Sequence, residues 1–265
     1  MNNVKIHKKG PFTIIAGPCA IETKDDCFLI AEKCKKICDM LHLNYIFKAS
    51  YRKANRTSFS SFRGVGLETG LNILDEVRQK FNVPVLTDVH ERHEVEAVSR
   101  IADVIQIPAF LSRQTELIEA AAETGKIINI KKAQFMSPKG ARHACEKAVN
   151  AGSQEVVLTE RGTFFGYNDL VVDFRNFQII DSWGIPIIYD VTHSLQQPSI
   201  DTMSSGNPEF VLSMASAAVA TGNLSGLFLE THPEPARAKS DARSMLPLNQ
   251  LEKVLQHIRK LLDLA

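Results

Sequence analysis

No stretch of this chain approaches the ~20 consecutive apolar residues needed to cross a bilayer, so no membrane span is expected. The first residues, MNNVKIHKKGPF, contain no continuous apolar segment of the signal-peptide kind, and a cytoplasmic location is expected. Cysteine is sparse and odd in number, with five in 265 residues, which excludes the dense disulfide framework of a small secreted domain. Cys34 and Cys38 stand four apart in a helical pattern and read as buried thiols on one helix face. Neither sign of charge is in excess: 31 basic side chains face 30 acidic ones. That balance excludes the electrostatic footprint of a nucleic-acid or membrane-surface binder, and neither partner is expected. A proline-rich or low-complexity linker is also missing, so a single domain over 1–265 is favoured over two.

What the sequence does contain is a rhythm. Eight short apolar, β-branched runs recur at intervals of roughly 20 to 40 residues. They cover residues 12–16, 45–49, 83–88, 104–109, 127–132, 155–160, 185–190 and 226–230. Most lack polar alternation, as parallel strands buried on both faces do. Amphipathic segments such as CFLIAEKCKKICDML and LETGLNILDEVRQKF lie between them, and Gly125, Gly152, Gly184 and Gly222 fall where helix C-caps are due. Eight βα units predict a (β/α)8 TIM barrel. The alternative is an open doubly wound sheet, but Gly64 and Gly66 follow no strand and lack the dinucleotide fingerprint. The VKIH segment before Gly10 reads as a short extra strand at the barrel bottom.

In such a barrel the chemistry sits at the C-terminal strand ends. Polar residues gather there: Cys19, Lys48 to Arg56, Asp88, His90, Gln106, Lys131, Lys132, Glu160, Arg161, Asp190, His193, Glu230, His232 and Asp241. Lys48, Lys53, Arg56, Arg113, Lys132 and Arg161 converge on one mouth and predict an anionic substrate, a phosphate or a carboxylate. Any one of them could equally be a solvated loop charge or the partner of Asp88, Glu160 or Asp190. Cys19, His193, Glu230 and Asp241 come from neighbouring strands 1, 7 and 8 and form a borderline-soft donor set for Zn, Fe, Mn or Co. Their spacing matches no short metal motif. A buried thiol, a histidine bound to Asp190 and two capping carboxylates fit that spacing as well.

The segments IAGPCAIE, FKASYRKANRTS, QIPAFLSRQT, NIKKAQFMSP, LTERGTFFGYNDLVVDFR, YDVTHS and ETHPEPARAKSDA resemble the 3-deoxy-D-manno-octulosonate 8-phosphate synthase family, in the family's order and over nearly the whole chain. The resemblance implies a (β/α)8 barrel, usually a homotetramer, that condenses phosphoenolpyruvate with D-arabinose 5-phosphate and water for lipopolysaccharide synthesis. Cysteine at position 19 marks the metal-dependent branch, with His193, Glu230 and Asp241 as the other ligands; asparagine there marks the metal-independent one. Lys48, Ser50, Gln106, Lys132 and Arg161 match the phosphoenolpyruvate site, with Lys132 and Arg161 bracketing its phosphate. Lys53, Asn55, Arg56, Ser58 and Asp88 match the aldose phosphate site. An arginine from a neighbouring subunit, Arg113 or Arg56, completes it. Catalysis is expected of Lys48, Asp88, Lys132 and His193.

Many members carry aspartate where this chain has Arg52, whose side chain is expected to face solvent. SSGNPEF (204–210) is a further loop of variable character. The rival within the same fold is the synthase that uses erythrose 4-phosphate, which typically carries a KPRT-type motif in place of KANRTS. A Schiff-base aldolase using Lys48 or Lys131, and a non-catalytic sugar-phosphate sensor, are the readings from other classes.

Overall fold

A computed structural model describes residues 4–8, 10–55, 61–164, 169–197 and 205–264. Eight parallel strands run β1 (Thr13–Gly17), β2 (Asn44–Lys48), β3 (Val85–Asp88), β4 (Val104–Ile107), β5 (Ile127–Lys131), β6 (Val156–Glu160), β7 (Ile187–Asp190) and β8 (Gly226–His232). Each pairs with the next, and β1 pairs with β8 from Thr13↔Gly226 to Gly17↔Glu230, which closes the barrel. The intervening helices are α1 (Lys24–Met40), α2 (Leu67–Phe81), α3 (Val95–Ile101), α4 (Thr115–Ala122), α5 (Pro138–Asn150), α6 (Arg175–Asp181) and α7 (Val211–Val219), with α8 (Leu251–Leu262) closing the series. All eight runs expected from the sequence are strands, which excludes the open sheet.

Alternation along each strand divides the apolar residues into two cores. Ile15, Ile46, Leu86, Val104, Ile127, Val157, Ile188 and Phe228 point inward and fill the barrel. Their neighbours, such as Ile14, Phe47, Ile105, Ile128 and Leu158, point outward and bury the apolar faces of the helices. Cys34 and Cys38 are both fully buried in that outer layer.

The N-terminal segment departs from expectation. Residues 4–7 form no strand. Ile6 instead inserts into the inner core at 4% exposure, with Val4 against it. Plugging the barrel bottom buries apolar surface worth about 2 kcal/mol for an isoleucine. A strand would need an open ladder edge, and the closed barrel has none.

Local signals set the element ends. Thr23 caps α1 by accepting from the Asp26 amide at 3.1 Å, and Ser137 caps α5 by accepting from the Gly140 amide at 3.2 Å. Gly125, Gly152, Gly184 and Gly222 all have positive φ, as helix C-cap glycines do. At the top of β1, a Cβ on Gly17 would lie 1.9 Å from the Lys48 carbonyl oxygen. Only glycine lets β1 approach β2 there, and this approach delivers Cys19 to the mouth.

Candidate active site at the mouth of the barrel

A cavity of ≈ 700 Å³ opens at the C-terminal strand ends. Among the described residues, five basic side chains line it, Lys53, Lys131, Arg161, Lys239 and Arg243, against the carboxylates of Asp88 and Asp241. Such an excess in a confined space favours a multiply anionic ligand.

On the β7–β8–β1 side, one ligand atom each from Cys19, Glu230 and Asp241 lie within 4.8 Å of one another. The Cys19 thiol donates to Asp241 Oδ2 at 2.8 Å and touches Ser240 Oγ at 2.9 Å. Burial, then the charges of Asp241 and Glu230, push its pKa well up. Glu230 Oε1 accepts from Lys48 Nζ at 2.6 Å, while the buried Oε2 has no hydrogen-bond partner. His193 stands beside this group, its Nε2 3.4 Å from Glu230 Oε2. Its Nδ1 is 2.8 Å from Asp190 Oδ2, and burial lowers its pKa. The buried Glu230 Oε2 has no hydrogen-bond partner, and a cation shared with the neighbouring donors would satisfy it. Asp241 also has a left-handed backbone (φ 49°), strain of the kind that functional sites retain. By donor chemistry Cys19, Glu230 and Asp241, with His193 beside them, fit a divalent metal.

On the β5–β6 side the structure corrects one assignment. Lys132, expected to bracket a phosphate, is fully buried with its ammonium turned away from the cavity. It donates to the carbonyls of Ala133, Met136 and Gly162 and to Thr163 Oγ1, and pairs with Glu160 at 3.2 Å. The strand ends at Lys131, whose side chain therefore takes the inward direction and lines the cavity. It lies 2.6 Å from Asp190 Oδ2 and 4.1 Å from the Phe228 ring centroid. Arg161 lines the same wall, donating to the His193 carbonyl at 3.1 Å and to Gln196 Oε1 at 3.0 Å, with its buried Nε unpaired. Burial lowers the pKa of both Lys131 and Arg161, which strengthens the demand for an anion beside them.

Gln106 lines the floor. Beneath it runs a fully buried chain: Thr159 Oγ1 donates to Asn129 Oδ1 at 2.7 Å, and Asn129 Nδ2 donates to Gln106 Oε1 at 3.4 Å. The direction of that chain leaves the Gln106 amide N–H groups for the cavity. Lys48 and Ser50 are buried below the lining; Lys48 donates to the Cys19 carbonyl at 2.9 Å and Ser50 Oγ has no partner. Lys48 and Lys131, the two Schiff-base candidates, are each held against a buried carboxylate, Glu230 and Asp190, at 2.6 Å.

On the β2–β3 side, Lys53, Asn55, Asp88 and His90 line the cavity. Burial opposes the charge on Lys53, but Cys19, Glu230, Asp88 and Asp241 outweigh it and raise its pKa. Asp88 Oδ2 is 3.0 Å from His90 Nε2, while its buried Oδ1 has no partner. Against burial, His90 and then Lys53 hold the Asp88 carboxyl well below its usual range. Arg52, expected to face solvent, is only partly exposed and pairs with Glu94 Oε1 at 3.0 Å. The reason is local: Glu94 is buried and demands a cation. Arg56 and Ser58 lie outside the described residues, as does part of SSGNPEF. Arg113 is exposed and does not line this cavity.

Sequence reasoning noted Lys131, His90 and Asp190 at strand ends and gave the first no anion-binding role; strand parity, had it been counted from Ile127, would have picked Lys131 over Lys132. Gln196, Ser240 and Glu94 were not singled out, because the contacts that place them here, with Arg161, with Cys19, and with Tyr51 and Arg52, are distant in the chain.

Fold and site together define a (β/α)8-barrel enzyme with an anion-binding mouth. The chain belongs to the DAHP synthetase I family, which it matches over residues 1–264. It is 49% identical over 249 residues to the 2-dehydro-3-deoxyphosphooctonate aldolase of Cyanothece sp., covering 94% of this chain and 91% of that one. The proteins of the same name from Acinetobacter baumannii and Hahella chejuensis are 47% and 45% identical, covering 98% and 100% of this chain and 92% and 94% of theirs.

Proposed function

We propose that the chain is a 2-dehydro-3-deoxyphosphooctonate aldolase acting in the synthetic direction. It condenses phosphoenolpyruvate, D-arabinose 5-phosphate and water to 3-deoxy-D-manno-octulosonate 8-phosphate and inorganic phosphate. The observation that carries the reading is the cavity, in which five cations face two carboxylates in a space sized for two small phosphorylated substrates. KANRTS favours arabinose 5-phosphate over erythrose 4-phosphate, although the family description names the other synthase, and the relatives' names favour it too.

In the reaction, C3 of phosphoenolpyruvate bonds to the aldehyde carbon and water adds at C2. The resulting hemiketal phosphate loses phosphate by C–O cleavage. Lys131 and Arg161 offset the phosphate charge, and the Gln106 amide with Lys53 faces the carboxylate and the aldose. Asp88 Oδ1 accepts a sugar hydroxyl, held in place by His90. Lys48 fixes Glu230 from below.

Cys19, His193, Glu230 and Asp241 would hold the divalent metal of the metal-dependent branch, with Asp190 orienting His193. Bound there, the metal supplies Lewis acidity toward an oxygen or lowers the pKa of a water. The orphaned Glu230 Oε2 beside His193 Nε2 supports that branch. A homotetramer in which Arg113 reaches a neighbour's aldose phosphate accounts for its exposure outside the chain's own cavity. The phosphate-ester substrates and five free cysteines fit the cytoplasm.

The test is phosphate release from phosphoenolpyruvate with each aldose in turn. Release with arabinose 5-phosphate at least about tenfold faster than with erythrose 4-phosphate is expected, a difference one missing set of hydroxyl contacts produces. The reverse preference overturns the assignment.

A further inference from the structure

Glu94 sits one turn beyond the β3 exit, at 3% exposure. Its Oε2 accepts from Tyr51 Oη at 2.7 Å, from the His90 amide at 3.0 Å and from the Glu91 amide at 3.1 Å. Its Oε1 pairs with Arg52 at 3.0 Å, and His90 Nδ1 lies 3.7 Å from Oε2. A carboxylate at this position has a plain structural role, since Glu91 and Glu94 form a capping box for the turn at Arg92–Glu94. That role needs only local backbone amides. It does not account for Tyr51 and Arg52, which come from the exit of β2, more than forty residues away in the chain.

The recruited pair leads directly to the substrate-facing segment. Arg52 bridges Gly64, and the Lys53 amide donates to the Arg63 carbonyl at 2.8 Å, so the segment bearing Lys53 and Asn55 is closed at its base. Tyr51 is fully buried, with its ring edge-on to His90 at 5.6 Å. Helix α2 makes room for it: a Cβ on Gly70 would fall 2.3 Å from the Tyr51 Cβ. On the other side, His90 Nε2 holds Asp88 Oδ2 at 3.0 Å and leaves Oδ1 without a partner at the cavity.

We propose that Glu94 is a positioning residue for the aldose half of the site, clamping the Lys53–Asn55 segment to the Asp88–His90 turn through Tyr51 and Arg52. This rests on the proposed function. The clamp sets the separation between a cation and a carboxylate that address two parts of one extended substrate. It leaves the Lys131 and Arg161 wall untouched.

The test is steady-state kinetics of the wild-type chain, Glu94→Gln, Tyr51→Phe, Arg52→Ala and Arg52→Lys, varying each substrate separately, with the melting temperature of each. Glu94→Gln is expected to raise KM for arabinose 5-phosphate about tenfold, as loss of a charge-assisted buried contact does, with KM for phosphoenolpyruvate changed less than about twofold. Tyr51→Phe and Arg52→Ala should show the same one-sided change at smaller size, and Arg52→Lys should recover part of it. Both KM values rising together, or a melting temperature that falls while neither KM moves, would overturn the clamp. If Glu94→Gln does not fold, Tyr51→Phe and the Arg52 pair decide by the same criterion. A wild-type chain that releases no phosphate with arabinose 5-phosphate removes the proposed function itself, and the clamp with it.

Discussion

The two flanks of the barrel mouth handle buried charge in opposite ways. Around β3, His90 stands between Asp88, 3.0 Å from its Nε2, and Glu94, 3.7 Å from its Nδ1, and Arg52 closes the outer edge 3.0 Å from Glu94. Around β7, β8 and β1, Cys19, Glu230 and Asp241 crowd together, Glu230 Oε2 is unsatisfied, and burial lowers the pKa of the nearest imidazole. The first flank sets each carboxylate against a cation of its own and leaves Asp88 Oδ1 without a partner at the cavity. The second leaves Glu230 Oε2 without a partner, and on the proposed reading a divalent cation completes it. Desolvation makes the distinction sharp, because an unpaired buried charge costs far more than an exposed one.

The contrast breaks most completely if Cys19 is replaced. Cys19→Ala should lower activity by at least about 100-fold and abolish its dependence on added divalent metal, read by assay with and without chelator and by metal content. Metal-independent activity at the wild-type level would remove the metal from that flank.

Next in size, Lys131→Met and Lys132→Met should separate cleanly. Lys132→Met strands the buried Glu160 and is expected to cost about 3–5 kcal/mol of stability by denaturant unfolding. Lys131→Met should instead raise KM for phosphoenolpyruvate while folding is retained. The opposite division of effects would restore Lys132 to the phosphate.

Chelation of the wild-type protein should lower its melting temperature by about 2–4 °C for each kcal/mol of metal linkage lost, and should leave Cys19→Ala unmoved.

The β3 flank gives the smallest effect, through pH. Burial opposes the charge on His90, but Asp88 and then Glu94 raise its pKa from 6.5 to about 9. Its contribution to stability is therefore full below about pH 6.5 and is lost as pH rises through about 9. Burial also opposes ionisation of Glu94, yet His90, Tyr51 and Arg52 lower its pKa to about 2, so its contribution is present above 4.5 and is lost as pH falls toward 2. The melting temperature should decline between pH 7 and 9, and His90→Asn should flatten that decline. A profile unchanged by the substitution would mean that the flank is not held together by charge.

Periodicity made the barrel legible. Eight β-branched runs, four C-cap glycines and the placement of polar residues after each run follow from local rules, because strand alternation and helix capping are written within a few residues of each other. Neighbouring strands made Cys19, His193, Glu230 and Asp241 one possible donor set among other readings, and only the resemblance of the GPC, YDVTHS and AKSDA segments singled it out, since residues spread over more than two hundred positions have no local spacing to read. Alternation from the inward-facing Ile127 turns Lys131 inward, whereas the carbonyls of Ala133, Met136 and Gly162 that hold Lys132 come together only in the fold. The VKIH segment had strand composition but no edge to join, so the closed barrel made it a plug.

By itself, then, the sequence determined the number and order of the βα units and the residue types available at the mouth. Tertiary structure decided which charges meet. Whether Glu94 is a helix cap or a clamp, and whether Glu230 is paired or waiting for a cation, depends on groups brought together across the barrel, and electrostatic energy in a buried site is set by those distances.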